Sequence, residues 1–304
     1  MKINAYNWNS CITKVLERLE EKHELVEEPE DADVVVLWNE IEKAGWLNIV
    51  KRAQAKGIPV ILYQQGVYGI DRVRPPFNEK IHSDVVLVWG PGDKDRLVKY
   101  GVPEEKIIVT GSPVVDRLIP KQKHDGKNVV FALEHWDWGD VPENHIVASE
   151  LRKLTDVNLI TKGLHTENYT ENFENPLISA RWSNDHLDIV ADLLSRTDLV
   201  VAISESTFAL LAEVLDIPVI IPDVWVPKAR AGDYTFLDFE KNCSNAVTKC
   251  SLEDLIPTIK EHLKHPGIKR EERKKNAIMC GGIEVDNPVD NYVSIIEKYG
   301  KRLR

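Results

Sequence analysis

The chain has 304 residues, 43% of them hydrophobic and 29% charged, with a formal net charge of −10. That length suits two domains of roughly 150 residues, each able to bury a core, and the composition excludes a disordered chain. The acidic balance argues against tight nonspecific binding to nucleic acid or anionic lipid.

In the first half, runs rich in Val and Ile predict strands at Lys2–Tyr6, Asp33–Trp38, Pro59–Gln64, Val85–Trp89 and Lys106–Thr110. Their nearly continuous apolar character is that of parallel strands covered by helices on both faces. Helical patterns lie between them at Cys11–Lys22, Glu40–Lys56 and Gly92–Tyr100, the last stopping at Gly101. The polar stretch from Ile119 to Lys127 reads as an interdomain linker. The pattern then repeats, with strands predicted at Val129–Leu133, Val157–Thr161, Leu177–Ala180, Leu199–Ile203, Val219–Ile221 and Ala246–Val247. Helices are predicted at Pro142–Leu154, Asp185–Arg196, Thr207–Leu215 and Leu252–Leu263. The charged run Lys269–Asn276 reads as a solvated helix face, with a patch for an anionic partner as the alternative, and Val289 to Leu303 as a closing amphipathic helix. Strands alternating with helices place the chain in the α/β class. The expectation is two Rossmann-like, doubly wound parallel-sheet domains facing a cleft, residues 1–119 and 127–285, with helix 286–304 packing back on the first domain.

The cysteines Cys11, Cys243, Cys250 and Cys280 form no CxxC pair and no zinc-ligand spacing. They read as free thiols in a reducing cytosol. Met1 to Asn9 has no charged segment followed by an apolar run, and the apolar stretches are far too short to span a bilayer. A cytoplasmic protein without an integral membrane segment is expected. No metal site is evident, no GxxxxGK[ST] loop appears, no GxGxxG follows the first strand, and no GxSxG elbow is present. P-loop nucleotide hydrolysis, dinucleotide-dependent hydride transfer and serine-elbow hydrolysis are therefore disfavoured.

In open parallel sheets ligands bind beyond the carboxyl ends of the strands, so chemistry is sought in the loops that follow them. Leu199 to Ile203 runs into Ser204, Glu205, Ser206 and Thr207, then a helix to Leu215, then Asp216-Ile-Pro-Val219. Hydroxyl residues opening a helix, with its free N–H groups, make an anion-binding spot; simple N-capping by Ser204 or Ser206 is the alternative. Leu133-Glu-His-Trp-Asp-Trp-Gly139 combines aromatics with carboxylates and a histidine after a strand. That mixture suits stacking on a sugar or base, or packing between domains, and offers Glu134, His135 and Asp137 as candidate general bases. Arg181 lies at another strand end, suited to a phosphate or to a surface ion pair.

These runs resemble the GT-B glycosyltransferase superfamily, nearest to the CDP-glycerol glycerophosphotransferases and the non-hydrolysing UDP-GlcNAc 2-epimerases. The resemblance is carried by the Ser206-Thr207 helix start with Pro218-Val219 after it. Further matches are Tyr63-Gln-Gln-Gly66, the run from Ser83 to Pro91, Val109-Thr-Gly-Ser-Pro113, and Leu159-Ile-Thr-Lys-Gly-Leu-His165. Gly90 and Gly111 in these runs suit close approach of a ligand or a tight turn.

By resemblance, the first domain is the acceptor side and the second binds a nucleotide-activated donor. Ser204, Glu205, Ser206, Thr207, Lys162, His165 and Arg181 would bind that donor, and Gln65, Gly66 and Tyr68 the acceptor. Where family members carry a histidine before the loop glycine, this chain has Gln65, which cannot act as a general base near neutral pH. Where they carry a ribose-gripping acid, this chain has Leu211; Glu205 is the nearer substitute, and Glu213 lies on another helix face.

The resemblance implies a metal-independent transferase with no cofactor, moving a glycosyl or glycerophosphoryl group from a nucleotide-sugar or CDP-glycerol-type donor to a hydroxyl acceptor. That acceptor would be a polymer precursor, a lipid-linked saccharide or a modified DNA base. The alternatives are a UDP-GlcNAc 2-epimerase-like enzyme and a non-catalytic nucleotide-sugar-binding module. The oligomeric state is left open.

Overall fold

The computed structural model describes residues 1–7, 10–40, 45–66, 80–133, 142–163, 176–178, 185–224 and 245–301. It divides into two compact units: residues 1–116 together with 278–304, and residues 117–277.

The first unit carries strands β1 (Lys2–Ala5), β2 (Glu24–Leu25), β3 (Val34–Leu37), β4 (Val60–Tyr63), β5 (Val85–Val88) and β6 (Ile107–Val109), joined through helices α1 (Thr13–Glu20), α2 (Trp46–Ala55) and α3 (Pro91–Lys99). The strands form one sheet in the order β2-β1-β3-β4-β5-β6, every pairing parallel. Each residue of β3, β4 and β5 is buried, because both faces of a doubly wound sheet are covered. Val50, Ala53 and Leu97 from the helices join Val35, Leu37, Val60, Leu62, Val86 and Val88 in one core.

The helix expected from Glu40 starts only at Trp46, behind Gly45 in the left-handed region. Glu40 turns away from a helical role; its carboxylate accepts hydrogen bonds from the His82 and Ser83 N–H groups and the Ser83 hydroxyl. Burial pushes that carboxyl above its ordinary pKa, against the opposing pull of those donors.

The second unit carries β7 (Asn128–Ala132), α4 (Pro142–Leu151), β8 (Asn158–Gly163), β9 (Pro176–Ile178), α5 (His186–Ser195), β10 (Leu199–Ala202), α6 (Thr207–Val214), β11 (Val219–Asp223), β12 (Thr248–Ser251), α7 (Leu255–Lys264) and α8 (Arg270–Met279), whose last two residues belong to the first unit. Its sheet order is β12-β11-β10-β7-β8-β9, again parallel throughout. The chain winds outward from β7 through β8 and β9, then returns to place β10 on β7's other side. The topological switch point therefore lies between β7 and β10. The last strand falls at Thr248–Ser251 rather than at Ala246–Val247, which are buried just before it. The charged run on α8 is not wholly solvated: Arg273 and Asn276 are buried.

An aspartate device repeats in both sheets. Asp33, Asp84 and Asp198 each precede a strand, and each accepts a hydrogen bond from the N–H that opens the neighbouring strand: Lys2 at 2.7 Å, Val60 at 2.8 Å and Asn128 at 2.9 Å. Each carboxylate satisfies an edge donor and fixes the register of a strand pair.

After α8 the chain runs to helix α9 (Pro288–Gly300), which packs on α1 and β3. Tyr292 and Ile296 face the core, Asn291 Nδ2 donates to the Thr110 carbonyl at 3.1 Å, and His23 Nε2 lies 2.9 Å from Glu297. The approach of this segment requires glycine. A Cβ placed on Gly90 would lie 2.1 Å from the Met279 carbonyl oxygen, and one on Gly282, at φ +65°, 2.1 Å from the Trp89 carbonyl oxygen. The glycines of the Trp-Gly and Thr-Gly runs thus admit the chain's own C-terminal segment: Gly111 closes against Pro288 and Val285.

Candidate functional site

The turn between β10 and α6 sits at the switch point of the second sheet, where a parallel α/β fold opens a crevice beyond its strand ends. Ser206 is the N-cap of α6, in extended conformation, and its hydroxyl accepts from the Ala209 N–H at 3.4 Å. Ser204, Glu205, Ser206 and Thr207 are all half-buried. Both Glu205 carboxylate oxygens are shielded from solvent. Extended residues ahead of an apolar helix leave its first N–H groups pointing out of the fold, the arrangement that attracts anions.

β8 lies on the far side of β7 from β10 and delivers Lys162 to the same region. Lys162 is buried, and its ammonium stands 5.1 Å from the centroid of the Phe208 ring in the first turn of α6. The Lys162 carbonyl accepts from the Leu133 N–H at 2.9 Å, tying the end of β8 to the end of β7. A cation is thereby held against the same helix start that presents Ser206 and Thr207. In the sequence Phe208 carries only the signal of a core residue in an apolar helix, and its place beneath this lysine comes from the fold.

Behind the turn, α6 carries Glu213, buried and hydrogen-bonded to Asn276 Nδ2 on α8 at 2.5 Å. Burial pushes the Glu213 carboxyl up to about 8, and the nearby Glu205 charge adds to the rise, while Asn276 and Arg273 oppose it. Arg273 is itself buried and bonds Asp216, in the α6–β11 turn, and the Ile268 and Pro266 carbonyls. Leu211 is buried in the core.

In the first unit, Gln65 and Gly66 follow β4. The Gln65 carbonyl accepts from the Cys11 thiol at 3.2 Å. The preceding Gln64 bridges inward: its Oε1 accepts from the Trp89 N–H at 2.9 Å and its Nε2 donates to Asp93 at 3.1 Å. Nearby, Trp46 packs edge-on with Tyr6 and Trp38, at ring separations of 5.0 and 5.4 Å. The expected site residues Glu134, His135, Asp137, His165, Arg181 and Tyr68 lie outside the described residues.

Among the described residues, Cys11, Cys250 and Cys280 take part in no disulfide. Within the same set, no group of three or more His, Cys, Asp or Glu side chains is arranged to hold a metal ion, and no helix is long and apolar enough to cross a membrane.

No protein-family model matches the chain, and no curated protein matches it. Solved structures do. A wall teichoic acid polymerase TagF variant soaked with CDPG shares 12% identity over 99% of this chain and 88% of that one, with a TM-score of 0.59. MnaA of S. aureus, solved with UDP, shares 12% identity over 98% of this chain and 96% of that one, with a TM-score of 0.61. The glycotransferase of kitacinnamycin shares 11% identity over 98% of each chain, with a TM-score of 0.53. With two parallel α/β units and this likeness along nearly its whole length, the chain has the fold of these structures, the GT-B fold.

Proposed function

We propose that this protein is a metal-independent transferase that moves a glycosyl or glycerophosphoryl group from a nucleotide-activated donor to a hydroxyl acceptor. One observation carries the reading: the Ser204–Thr207 turn opens α6 at the switch point of the second sheet, with the Lys162 ammonium held against the helix's first turn. Helix N–H groups and a fixed cation aimed at one place stabilise the charge that develops on a departing diphosphate. The fold likeness to proteins solved with UDP and with CDPG adds support for a nucleotide-linked ligand. The transferred group and the acceptor follow from the resemblance of the sequence runs, with Gln65 and Gly66 on the acceptor side and Glu134, His135 and Asp137 as base candidates.

Ligand-dependent melting tests the donor reading. The protein is heated with UDP, CDP, GDP, ADP and their sugar or glycerol conjugates; a ligand that binds only the folded state raises the melting temperature by mass action. A rise with one nucleotide series, lost when Ser206 and Thr207 are both changed to Ala, is the expected result. No rise with any of them, from protein that melts cooperatively, overturns it.

Gln65 favours a second reading, a nucleotide-sugar-binding module without turnover, because an amide cannot accept the acceptor's proton near neutral pH. Nucleotide binding with no product from any hydroxyl acceptor distinguishes it. Release of an altered sugar with no acceptor present points instead to epimerase-like chemistry.

A further inference from the structure

The first sheet has a switch point of its own. The chain passes from β1 outward to β2, then crosses to place β3 on β1's other side, so the switch lies between β1 and β3. In a parallel α/β fold a crevice opens there, beyond the carboxyl ends of the strands. Among the described residues, Tyr6, Trp38 and Trp46 meet at that point. Tyr6 follows β1, Trp38 follows β3, and Trp46 opens α2, the helix after β3. Each is half-buried, so each keeps part of its ring open to solvent. Trp46 packs edge-on with both others, its ring plane 87° from that of Tyr6 and 65° from that of Trp38.

The frame around this cluster is fixed. The Tyr6 N–H donates to the Val36 carbonyl at 2.9 Å, and the Tyr6 carbonyl accepts from the Tyr63 phenol at 2.8 Å. Tyr63 is buried at the end of β4, two residues before Gln65. The aromatic cluster and the loop that carries Gln65 and Gly66 therefore share one anchor. Asparagine follows each of the two strand-end aromatics, Asn7 after Tyr6 and Asn39 after Trp38. The Asn7 amide accepts from the Ile12 N–H at 3.1 Å and donates to the Thr13 hydroxyl at 2.9 Å, which leaves a further hydrogen and lone pair to offer.

We propose that Tyr6, Trp38 and Trp46 form a binding site for a pyranose ring, which makes the acceptor a saccharide; the acceptor role rests on the transferase reading above. The ring geometry selects the ligand. A nucleobase or other flat aromatic is gripped best between parallel faces, and planes set 65° and 87° apart offer no such slot. A pyranose is thick and puckered. Its C–H groups meet aromatic rings set at an angle, and its hydroxyls reach amides at the rim, the mixture of apolar wall and few polar groups found in small-molecule sites. A glycerol phosphate unit has no comparable apolar face. Aromatic rings held in place before binding lose little conformational freedom when the ligand arrives.

Fluorine NMR on the full chain labelled with 5-fluorotryptophan tests this. The chain has eight tryptophans, and Trp38→Phe and Trp46→Phe assign the two signals that matter. The probes are the methyl glycosides of glucose, galactose, mannose and N-acetylglucosamine and their β-linked disaccharides, with no nucleotide present. At least one should shift both signals saturably, and Tyr6→Leu should weaken its binding by about three- to tenfold. Glycerol 3-phosphate and free nucleosides should leave both signals in place. No saturable shift with any glycoside, a saturable shift only with a nucleoside or glycerol phosphate, or glycoside affinity unchanged by Tyr6→Leu overturns the site. Should Tyr6→Leu fail to fold, the wild-type titration still decides. Nucleotide melting is a separate readout. A donor series that stabilises the protein while no glycoside moves these signals removes the aromatic site alone; glycoside shifts in a protein that no nucleotide stabilises keep the sugar site and overturn the transferase reading.

Discussion

Asn276 on α8 donates from its side-chain Nδ2 to Glu213 Oε2 on α6 at 2.5 Å, with both side chains buried. The pair joins the helix that opens with the candidate phosphate-binding turn to a helix more than fifty residues further along the chain. It also makes the stability of this protein depend on pH. The Glu213 carboxyl is raised to about 8, above its value in the unfolded chain. Between the two values the native state holds a proton that the unfolded state has lost, so stability falls as pH rises. The contribution is fully present below the unfolded value and is lost as pH climbs through about 8. Glu213→Gln should remove that slope and leave the variant more stable than the parent at pH 9, by on the order of 2–4 kcal/mol. Urea denaturation at pH 5 and pH 9 measures it; equal slopes in the two proteins would refute the assignment.

Gly90→Ala should destabilise the first unit by about 2–3 kcal/mol, because the obstacle is backbone and cannot rotate away. The new methyl would meet the Met279 carbonyl oxygen at 2.1 Å. Gly267→Ala is the control: nothing lies within 4 Å of its added Cβ, and the change should stay within about 0.5 kcal/mol. Parallel thermal melts separate a packing effect from a general intolerance of glycine loss.

Arg273→Ala should cost about 2–3 kcal/mol. Its guanidinium is 1% exposed and holds Asp216 together with the Pro266 and Ile268 carbonyls. Removing it strands those carbonyls, while Asp216, 42% exposed, still reaches water, so the loss is smaller than for a fully buried pair. Guanidinium chloride titration at neutral pH gives the value.

Ser206→Ala separates capping from binding. Its hydroxyl bond to Ala209 is long, at 3.4 Å, so the stability loss should sit at the low end of the cap range, about 0.5–1 kcal/mol. On the proposed function, nucleotide-induced stabilisation should fall far more than that. A variant that keeps the full nucleotide shift would leave the serine as a cap only.

Lys162→Met should leave the fold nearly intact, since the methionine stem can still pack on Phe208. On the same reading it should weaken nucleotide binding by roughly tenfold or more, the worth of one charge-assisted contact to phosphate. Isothermal titration at fixed salt decides, because unchanged affinity would remove this cation from the donor site.

The central strands of both sheets were legible in the sequence because fully buried parallel strands must be apolar along their whole length, and Val34–Leu37, Val60–Tyr63 and Leu199–Ala202 are; the edge strands β2, which the sequence reading lacks, and β12, which it places two residues early, are only partly buried and carry no such run. The helix start at Ser206 was legible for a local reason as well: the cap residue and the N–H it serves are three positions apart. Only the tertiary structure decided what the glycines of the Trp-Gly and Thr-Gly runs admit. Their partners, Met279 and Pro288, lie far along the chain, and no local pattern encodes a crossing between distant segments. The same holds for the inward turn of Arg273 and Asn276 within a charged run, and for Lys162 against Phe208. A single charged or polar residue carries no periodic signal, and its burial is set by the partner that folding brings to it.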